Sequence, residues 1–307
     1  MKPPARRVVN GIVLLDKPAN ATSNQALQRV RRLYNARKAG HTGSLDPLAT
    51  GMLPVCLGTA TKVCSYLLDA RKSYRVTAYL GESTDTGDAH GSVVDQGPAV
   101  ELSRDAVQRV LAGFMGEYEQ TPPMYSALKY KGQRLYKLAR QGIEVPRKPR
   151  TISIFELQLR RMDTPELEFD VTCSKGAYVR TLVEDIAKAL GTLGHVRALR
   201  RTSVGPFGEA QMADLSTLED CAREGLQALD QFLLPADRAL TAWPRIDVPA
   251  SLCDPFINGC AVPSDPDWPR GQVRIYSPGG EFLGIGEVTV PGHLAPRRIF
   301  AVSRNAD

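Results

Sequence analysis

The sequence predicts an α+β fold, with a larger N-terminal unit and a small β-rich unit at the C-terminus. Its 307 residues exceed the usual size of one domain. Strand-like and helix-like patterns are mixed over the first 240 residues without a regular βαβ rhythm, which favours a mixed or antiparallel sheet. Residues 273–290 then form two strand patterns around a Pro-Gly-Gly turn. We therefore expect domains at residues 1–240 and 245–307.

The first half of the larger unit is expected to begin with a strand and a capped helix. Thr22, with Gln25 three residues later, is a capping-box pattern, and apolar residues follow it at helical spacing. Residues 40–58 are instead broken by glycines and prolines, which is typical of a loop. The other elements expected here are a strand at 11–15, a helix at 60–70, a strand at 74–81 and a loop at 82–98.

The second half is expected to carry a basic arm between regular elements. Residues 117–150 contain four prolines and a short helical pattern near 133–141, so they resemble an arm more than a core element. Apolar and polar residues alternate over 167–173, which indicates a half-buried strand. The remaining elements expected are a helix at 103–115, a helix at 178–190 ended by Gly191, a linker at 235–249 and a strand at 297–302.

The composition argues against several classes of protein. No apolar run approaches the roughly 20 residues that cross a bilayer. The apolar stretch near the N-terminus is too short for a signal peptide, so we expect a cytoplasmic protein without membrane contact. Six cysteines without a CxxC pair, and four histidines far apart, give no pattern for zinc or for a disulfide framework. We therefore expect no metal.

Positive charge is concentrated in two segments, which predicts an anionic partner. The net charge is +6. Residues 129–150 hold eight lysines and arginines against Glu144 alone, and the first fifty residues hold nine against two aspartates. Clustered charge of this kind attracts phosphates and steers nucleic acids to a surface.

One loop concentrates the candidate chemistry. The segment GHTGSLDPLATG, residues 40–51, places a single carboxylate, Asp46, among glycines that let the backbone approach a ligand closely. An Asp-Pro pair by itself is a common turn opener. From these residues alone, Asp46 is therefore either a turn former or a catalytic acid.

The same loop resembles the GHTGxLDPxATGxLP motif of the TruB family of pseudouridine synthases, from residue 40 to residue 54. The resemblance implies a pseudouridine synthase catalytic domain followed by a PUA-like RNA-binding domain. It also implies that uridine 55 in the T-loop of tRNA is isomerised to pseudouridine. Segments similar to the family extend along nearly the whole chain: GIVLLDKP (11–18), KSYRV (72–76), TDTGDAHG (84–91), CSKGAYVRTLVEDI (173–186), LRRTSVG (199–205), NGCAV (258–262) and GIGEV (284–288).

By this resemblance Asp46 is the catalytic aspartate. The reaction breaks the bond between uracil N1 and the ribose, turns the base and rejoins it through carbon 5. A carboxylate suits this work because positive charge develops on the sugar. The carboxylate could attack the sugar, add to carbon 6 of the base or remove a ribose proton, and the sequence leaves all three routes open. No redox or group-transfer step occurs, so no cofactor is expected.

The resemblance assigns further roles around this carboxylate. Arg180 is expected to pair with it and keep it ionised and oriented. Tyr74 is expected to stack on the flipped base and to help proton transfer at carbon 5. Leu199 is expected to line the uracil pocket, and His41 to fill the gap left in the T-loop stack. Two more residues are assigned to the substrate site, Asp88 near the arginine and Lys17 in the first family segment.

The arm at 117–150 corresponds, by the same resemblance, to a segment that folds over the T-loop and orders on binding. Lys129, Lys131 and Arg134 are expected to contact phosphates, while the PUA-like domain contacts the acceptor end of the tRNA. Two alternatives are an RNA-binding or RNA-folding protein in which catalysis is secondary, and a related synthase acting on another structured RNA. A pure binder has no need of Asp46 and Arg180. We expect a monomer without an obligate protein partner.

Overall fold

The computed structural model describes residues 6–289 and 292–300. In chain order the strands are β1 (Gly11–Lys17), β2 (Ala39–His41), β3 (Thr50–Leu57), β4 (Lys72–Leu80), β5 (Glu82–Thr84), β6 (Val93–Gln96), β7 (Gly116–Gln120), β8 (Lys129–Tyr130), β9 (Gln133–Arg134), β10 (Arg150–Asp163), β11 (Glu166–Cys173), β12 (Gly194–Val204), β13 (Phe207–Gly208), β14 (Ala213–Asp214), β15 (Arg245–Asp247), β16 (Val262–Pro263), β17 (Gly271–Tyr276), β18 (Phe282–Thr289) and β19 (His293–Ile299). The α-helices are α1 (Ser23–Leu33), α2 (Cys64–Asp69), α3 (Arg104–Ala112), α4 (Leu135–Ala139), α5 (Val179–Ala189), α6 (Leu215–Glu224), α7 (Leu226–Asp230) and α8 (Ala250–Ile257).

A ten-stranded mixed sheet is the frame of the larger unit. Its order is β14-β1-β3-β12-β4-β11-β10-β7, with β2 paired to β3 and β13 paired to β12. The pairs β1–β14 and β3–β12 are parallel, whereas β4 runs antiparallel to both of its neighbours. The predicted α+β class with a mixed sheet is therefore confirmed.

The two central strands β4 and β12 carry the surface on which the candidate site is built. Alternate residues of β4 are buried, because successive side chains of a strand point to opposite faces. Helix α5 packs on the buried face through residues such as Leu182 and Ile186, which join Val76 of β4 in one apolar cluster. Helix α5 therefore lies over the face of the sheet to which the buried side chains of β4 point.

The C-terminal unit is a five-stranded sheet in the order β15-β17-β18-β19-β16. The predicted hairpin at 273–290 is confirmed as β17 and β18, which pair antiparallel. The strand predicted at 297–302 begins earlier, at His293, and residues 301–302 lie outside the described residues. The segment expected to be a linker contributes β15, which pairs with β17. The division into two domains stays a prediction.

Several elements of the larger unit confirm the predicted pattern, and others differ from it; the predicted loop at 40–58, for example, contains strand β3 (Thr50–Leu57). The capping box of Thr22 and Gln25 begins α1, and α3, β11 and α5 lie where they were expected. The predicted loop at 82–98 contains the hairpin β5–β6, and the predicted helix at 60–70 begins with a 3-10 turn, Gly58–Val63. Strands β10 and β12 were not predicted, because charged side chains interrupt their apolar pattern.

The basic arm is shorter than predicted and is folded. Residues 116–120 form β7 at the edge of the sheet, and Arg150 begins β10, so the arm comprises residues 121–149. Within it, Lys131 and Gly132 both have positive φ, as a two-residue hairpin turn between β8 and β9 requires. Leu135, Leu138 and Val145 form a small apolar cluster of the arm itself. The arm therefore has secondary structure and a small apolar cluster of its own, and its ordering on RNA binding stays a prediction.

Candidate active site

The loop between β2 and β3 presents the Asp46 side chain to a cavity. Ser23, at the start of α1, holds the loop from behind: its hydroxyl accepts a hydrogen bond from the Leu45 amide at 2.7 Å and donates to the Leu45 carbonyl at 3.1 Å. Gly51 ends the loop with a φ of +94°, and a Cβ there would lie 2.3 Å from the Arg201 carbonyl oxygen. Only glycine fits that position without displacing β12.

Arg180 joins the loop to the rest of the site. It lies in the first turn of α5 and is only 5% exposed, and its Nε is 2.9 Å from a carboxylate oxygen of Asp46. Its other two nitrogens donate to the backbone carbonyls of Thr86 at 2.6 Å and Tyr125 at 2.7 Å. The expected pairing of Arg180 with Asp46 is thus present, and the guanidinium also contacts the 82–98 segment and the arm.

The charge state of Asp46 is set by opposing effects. Burial raises the pKa of its carboxyl above the usual range, and the nearby Arg180 opposes that rise by favouring the carboxylate. Asp88 adds negative charge close by, and this also raises the pKa of Asp46. The Asp88 carboxylate is itself buried and accepts hydrogen bonds from the Thr86 hydroxyl and the His90 amide. Asp88 therefore lies near Arg180, as expected, and contributes to the local charge.

The floor of the cavity is one face of β4 and β12. Tyr74 of β4 lies directly opposite Arg201 of β12, and Leu199 lines the same cavity. The cavity holds about 320 Å³ and is bounded on its other sides by the Asp46 loop, by residues 176–180 before and within α5, and by residues 125–127 of the arm. Four of the predicted site residues, Asp46, Arg180, Tyr74 and Leu199, therefore share one pocket.

Lys17 does not reach this pocket, and its assignment as a substrate-binding side chain does not fit the structure. The residue is fully buried, with 0% of its surface exposed. Its ammonium donates to the backbone carbonyls of Pro18 at 2.8 Å and Ala21 at 2.6 Å, behind the catalytic loop. Burial lowers the pKa of Lys17 to about 8, while Asp46 favours its charged form. Lys17 therefore helps to hold the Asp46 loop in place, and its positive charge favours the carboxylate form of Asp46.

His41 and the arm cations lie outside the pocket. His41 is in β2, at the beginning of the loop, and its Nδ1 is buried without a hydrogen-bond partner among the described residues. Burial lowers the pKa of His41, which favours the neutral ring. Lys129, Lys131 and Arg134, called the arm cations below, are exposed on the β8–β9 hairpin. Neither position tests the expected contacts with RNA, so those contacts stay predictions.

The sequence reasoning missed several residues that line the pocket. Arg201 is 1% exposed, and it donates from Nε to the Met52 carbonyl at 2.6 Å and from Nη2 to the Gly43 carbonyl at 3.1 Å. Lys72 lies two residues before Tyr74 on the same face of β4. Both belong to family segments, KSYRV and LRRTSVG, and this was the available signal. Tyr125 and Ser126 of the arm also line the pocket, and no motif had marked them.

Two searches of the described residues bear on other kinds of site. Within residues 6–289 and 292–300, no three or more histidine, cysteine, aspartate or glutamate side chains are grouped so that they could hold a metal ion. The same part of the chain contains no helix that is both long and apolar enough to cross a membrane. The titratable side chains that line the pocket are one carboxylate, three cations and three tyrosines: Asp46, Lys72, Arg180, Arg201, Tyr74, Tyr125 and Tyr178.

Comparison with known proteins relates these features to a family. Residues 31–179 match the TruB family pseudouridylate synthase N-terminal domain, residues 180–241 match the tRNA pseudouridylate synthase B C-terminal domain, and residues 244–300 match the pseudouridine synthase II TruB C-terminal region. The chain is 52% identical over 293 residues to tRNA pseudouridine synthase B of Nitrosococcus oceani, covering 95% of this chain and 94% of that protein. It is 50% identical over 296 residues to tRNA pseudouridine synthase B of Pseudomonas aeruginosa, covering 96% and 97%.

The fold also matches solved structures. A chain in the crystal structure of a Cbf5-Nop10-Gar1 complex superposes with a TM-score of 0.74 and 26% sequence identity, covering 95% of this chain and 85% of that chain. A chain in the archaeal box H/ACA sRNP Nop10-Cbf5 complex superposes with the same TM-score at 24% identity. The second likeness, at that identity, concerns the fold alone.

Proposed function

The chain belongs to the TruB family of pseudouridylate synthases, and we propose that the uridine it isomerises is uridine 55 in the T-loop of tRNA. Its reaction is the conversion of a uridine in tRNA to pseudouridine. The position within the tRNA rests on the family motif of residues 40–54. The observation that carries the chemical assignment is the ion pair of 2.9 Å between Asp46 and Arg180, both of which line a pocket of about 320 Å³.

The proposed roles follow from the contacts of each residue. Asp46 is the catalytic residue, and 43% of its side chain is exposed to the pocket, where the ribose of a flipped uridine can reach it. Arg180 keeps the carboxylate ionised and fixes its plane with a guanidinium that is itself held by two carbonyls. Tyr74 presents its ring from the floor to stack on the base. Leu199 supplies an apolar contact beside it.

The RNA is proposed to enter between the loop and the arm. The arm cations carry positive charge where the T-loop phosphates would lie, and His41 is at the loop end that would face the remaining T-loop stack. The C-terminal sheet is proposed to contact the acceptor end. We further propose that the protein acts as a monomer in the cytoplasm, without a cofactor or an obligate protein partner.

An RNA-folding protein with secondary catalysis fits the site less well. The arm and the basic surface would serve such a protein equally. A binder gains nothing from the buried Arg180, which holds a carboxylate at the wall of a pocket and forms two further charge-assisted hydrogen bonds. Negative charge at an RNA-binding pocket weakens the binding of RNA. The presence of the Asp46 carboxylate therefore favours a catalytic function over a binding function.

Chemical mapping of pseudouridine in an unmodified tRNA transcript tests this proposal. The purified protein alone is incubated with the transcript, and pseudouridine is located by primer extension after carbodiimide treatment. The proposal predicts one new pseudouridine, at position 55, and none in a transcript with cytidine at that position. Modification elsewhere in the same tRNA would refute the position, and modification only of other RNAs would favour the related synthases that act on another substrate.

A further inference from the structure

Positive charge exceeds negative charge around the pocket. Asp46 is paired with Arg180, which accounts for one cation. Lys72 and Arg201 line the same pocket, and among the described residues neither has a carboxylate within ion-pair distance. Lys72 is only 8% exposed and Arg201 only 1%, so water compensates neither charge fully. Two buried cations therefore face the substrate site without a counter-ion.

Neutral backbone groups hold both cations in place. The Lys72 ammonium donates to the carbonyls of Leu68 at 2.9 Å and Ala70 at 2.8 Å, at the end of α2. The Arg201 guanidinium donates to two carbonyls, one on the catalytic loop and one on β3. These bonds orient the groups and cancel neither charge. The position of both charges is thus fixed before any substrate arrives.

The cations lie beside the base-stacking residue. Lys72 and Tyr74 are two residues apart on one face of β4, and Arg201 is the cross-strand neighbour of Tyr74. The positive charge of the guanidinium also opposes the rise that burial causes in the pKa of Tyr74. A base stacked on Tyr74 would therefore have these charges beside it, in the pocket that Asp46 and Arg180 also line.

Burying a charge without a counter-ion costs free energy. The presence of Lys72 and Arg201 therefore indicates that an anion occupies the pocket at some stage of the reaction. Burial lowers the pKa of Lys72 to about 8, with Arg201 contributing in the same direction, and Asp69 and Cys173 oppose that shift. The ammonium is still largely charged at neutral pH. Perturbed groups of this kind cluster at sites where charge develops during a reaction.

We propose that Lys72 and Arg201 are catalytic residues that stabilise the negative charge developing on the uracil ring during isomerisation, an inference that rests on the proposed function. When the C1′–N1 bond breaks, its electron pair moves to N1 and the charge is shared with O2 and O4 of the ring. Positive charge develops at C1′, on the side of Asp46. Addition of the carboxylate to carbon 6 also makes the ring anionic, so the requirement holds for that route as well.

The atoms balance without a co-reactant. After the base turns, a ring electron pair forms the bond from carbon 5 to C1′, the proton on carbon 5 leaves, and N1 ends the reaction protonated. One proton is lost and one is gained. Fixed positive charges beside the developing negative charge lower the barrier because they need not reorganise during the step.

A leaving-group test separates this role from a structural one. Fluorine at carbon 5 withdraws electrons and makes the uracil anion more stable without help from the protein. T-arm RNAs with uridine or 5-fluorouridine at the target position are reacted under single-turnover conditions, below neutral pH where N3 of both bases is protonated. Carbon 5 of 5-fluorouridine has no proton to release, so the disappearance of the starting nucleoside, and not the appearance of pseudouridine, is followed by nuclease digestion and mass spectrometry for the wild type, Lys72→Gln and Arg201→Gln.

The proposal predicts a loss of about 100-fold or more for uridine in each variant, as for removal of one preorganised donor, and a loss at least about tenfold smaller for 5-fluorouridine. Arg200→Gln is the matched control, because Arg200 is the adjacent residue of β12 but pairs with Asp16 and Glu209 outside the pocket. For Arg200→Gln, the ratio of the rate with uridine to the rate with 5-fluorouridine should equal the ratio for the wild type.

Two results would overturn the proposal. Equal losses for both bases would show that the cations serve the fold, and a loss confined to the RNA dissociation constant would show that they hold a phosphate. If Lys72→Gln does not fold, as judged by circular dichroism, Arg201→Gln carries the test, and Arg201→Lys, which keeps the positive charge, should lose less of the uridine rate than Arg201→Gln. A wild type that converts neither RNA would refute the proposed function itself.

Discussion

Removing the Arg180 guanidinium should slow the reaction and shift its pH dependence. In Arg180→Met the carboxylate of Asp46 loses its cation at 2.9 Å, and the carbonyls of Thr86 and Tyr125 lose a charged donor. Removing one preorganised group from a reacting site lowers a rate about 100-fold to 1000-fold. Because 43% of the Asp46 side chain is exposed to the pocket, we expect the lower end of that range. A rate about 100-fold lower corresponds to about 3 kcal/mol in the barrier.

The direction of the pH shift follows from the same contact. Arg180 favours the charged form of Asp46, so its removal raises the pKa of that carboxyl further. The reaction needs the carboxylate, and the rate therefore rises with pH through this pKa. The rising limb of the single-turnover profile should move to higher pH in Arg180→Met.

Single-turnover pseudouridine formation on tRNA, measured from mildly acidic to mildly alkaline pH, provides the assay. Arg180→Lys is the informative companion, because it keeps a positive charge but cannot contact Asp46 and both carbonyls together. Its limb should lie between those of the wild type and Arg180→Met. An unmoved limb in Arg180→Met, with the rate lowered equally at every pH, would refute the electrostatic role of this residue.

Three further predictions concern the loop, a buried acid and the arm. Gly51→Ala should destabilise the protein and abolish activity, because its Cβ would lie 2.3 Å from the Arg201 carbonyl, and thermal unfolding with an activity assay checks this. Burial raises the pKa of Glu184 to about 7 from 4.5, so the folded protein keeps a proton there that the unfolded chain releases, and stability falls between those pH values. Glu184→Gln should remove that fall and be about 2–3 kcal/mol more stable above neutral pH, as measured by urea unfolding. Replacing the three arm cations by glutamine should weaken tRNA binding and reduce the salt slope by about three, as measured by filter binding.

Each of these predictions has a matched control and a contrary outcome. Gly81→Ala has a similar positive φ with open space around it, so it should cost less than Gly51→Ala, and equal costs would contradict the steric argument. Glu224→Gln, on the exposed side of α6, should leave the pH dependence of stability unchanged. A Glu184→Gln protein that follows the wild type from pH 5 to 8 would show that this carboxyl is not perturbed. Lys188→Gln, exposed at the end of α5, should leave the salt slope as it is, and an unchanged slope in the arm variant would remove the arm from the RNA contact.

The sequence was sufficient to locate the chemistry, because the Asp46 loop is a continuous segment. Its contact with Arg180 joins residues that are far apart in the chain, and only the resemblance to a family connected them beforehand. Spacing along the chain does not report such a contact. It depends on α5 beginning over the face of β4 that carries Tyr74.

The residues that were missed or misplaced are mostly buried cations. A lysine or arginine in a sequence pattern usually indicates an exposed position. For this reason neither strand β12 nor the position of Arg201 in the pocket was predicted. Lys17 was assigned to the substrate although backbone carbonyls bury it completely. In both cases the hydrogen-bond partners are backbone carbonyls, close in the chain for Lys17 and far away in the chain for Arg201, and a carbonyl has no side-chain signal in the sequence.

The arm illustrates a different limit. Its prolines and flanking glycines indicated a segment that orders on binding, and they gave no sign that Leu135, Leu138 and Val145 form an apolar cluster within the arm. The cluster is small, and its members are separated by polar residues in sequence. A periodic pattern therefore could not reveal it.

The most direct measurement of the central claim is the single-turnover reaction of Asp46→Asn on unmodified tRNA, together with its tRNA dissociation constant. Asparagine keeps the shape of the side chain but removes the negative charge that the sugar requires. We predict no pseudouridine above the level of a reaction without enzyme, with tRNA binding within a few-fold of the wild type. Pseudouridine formation at a rate near that of the wild type would contradict the assignment of Asp46 as the catalytic group.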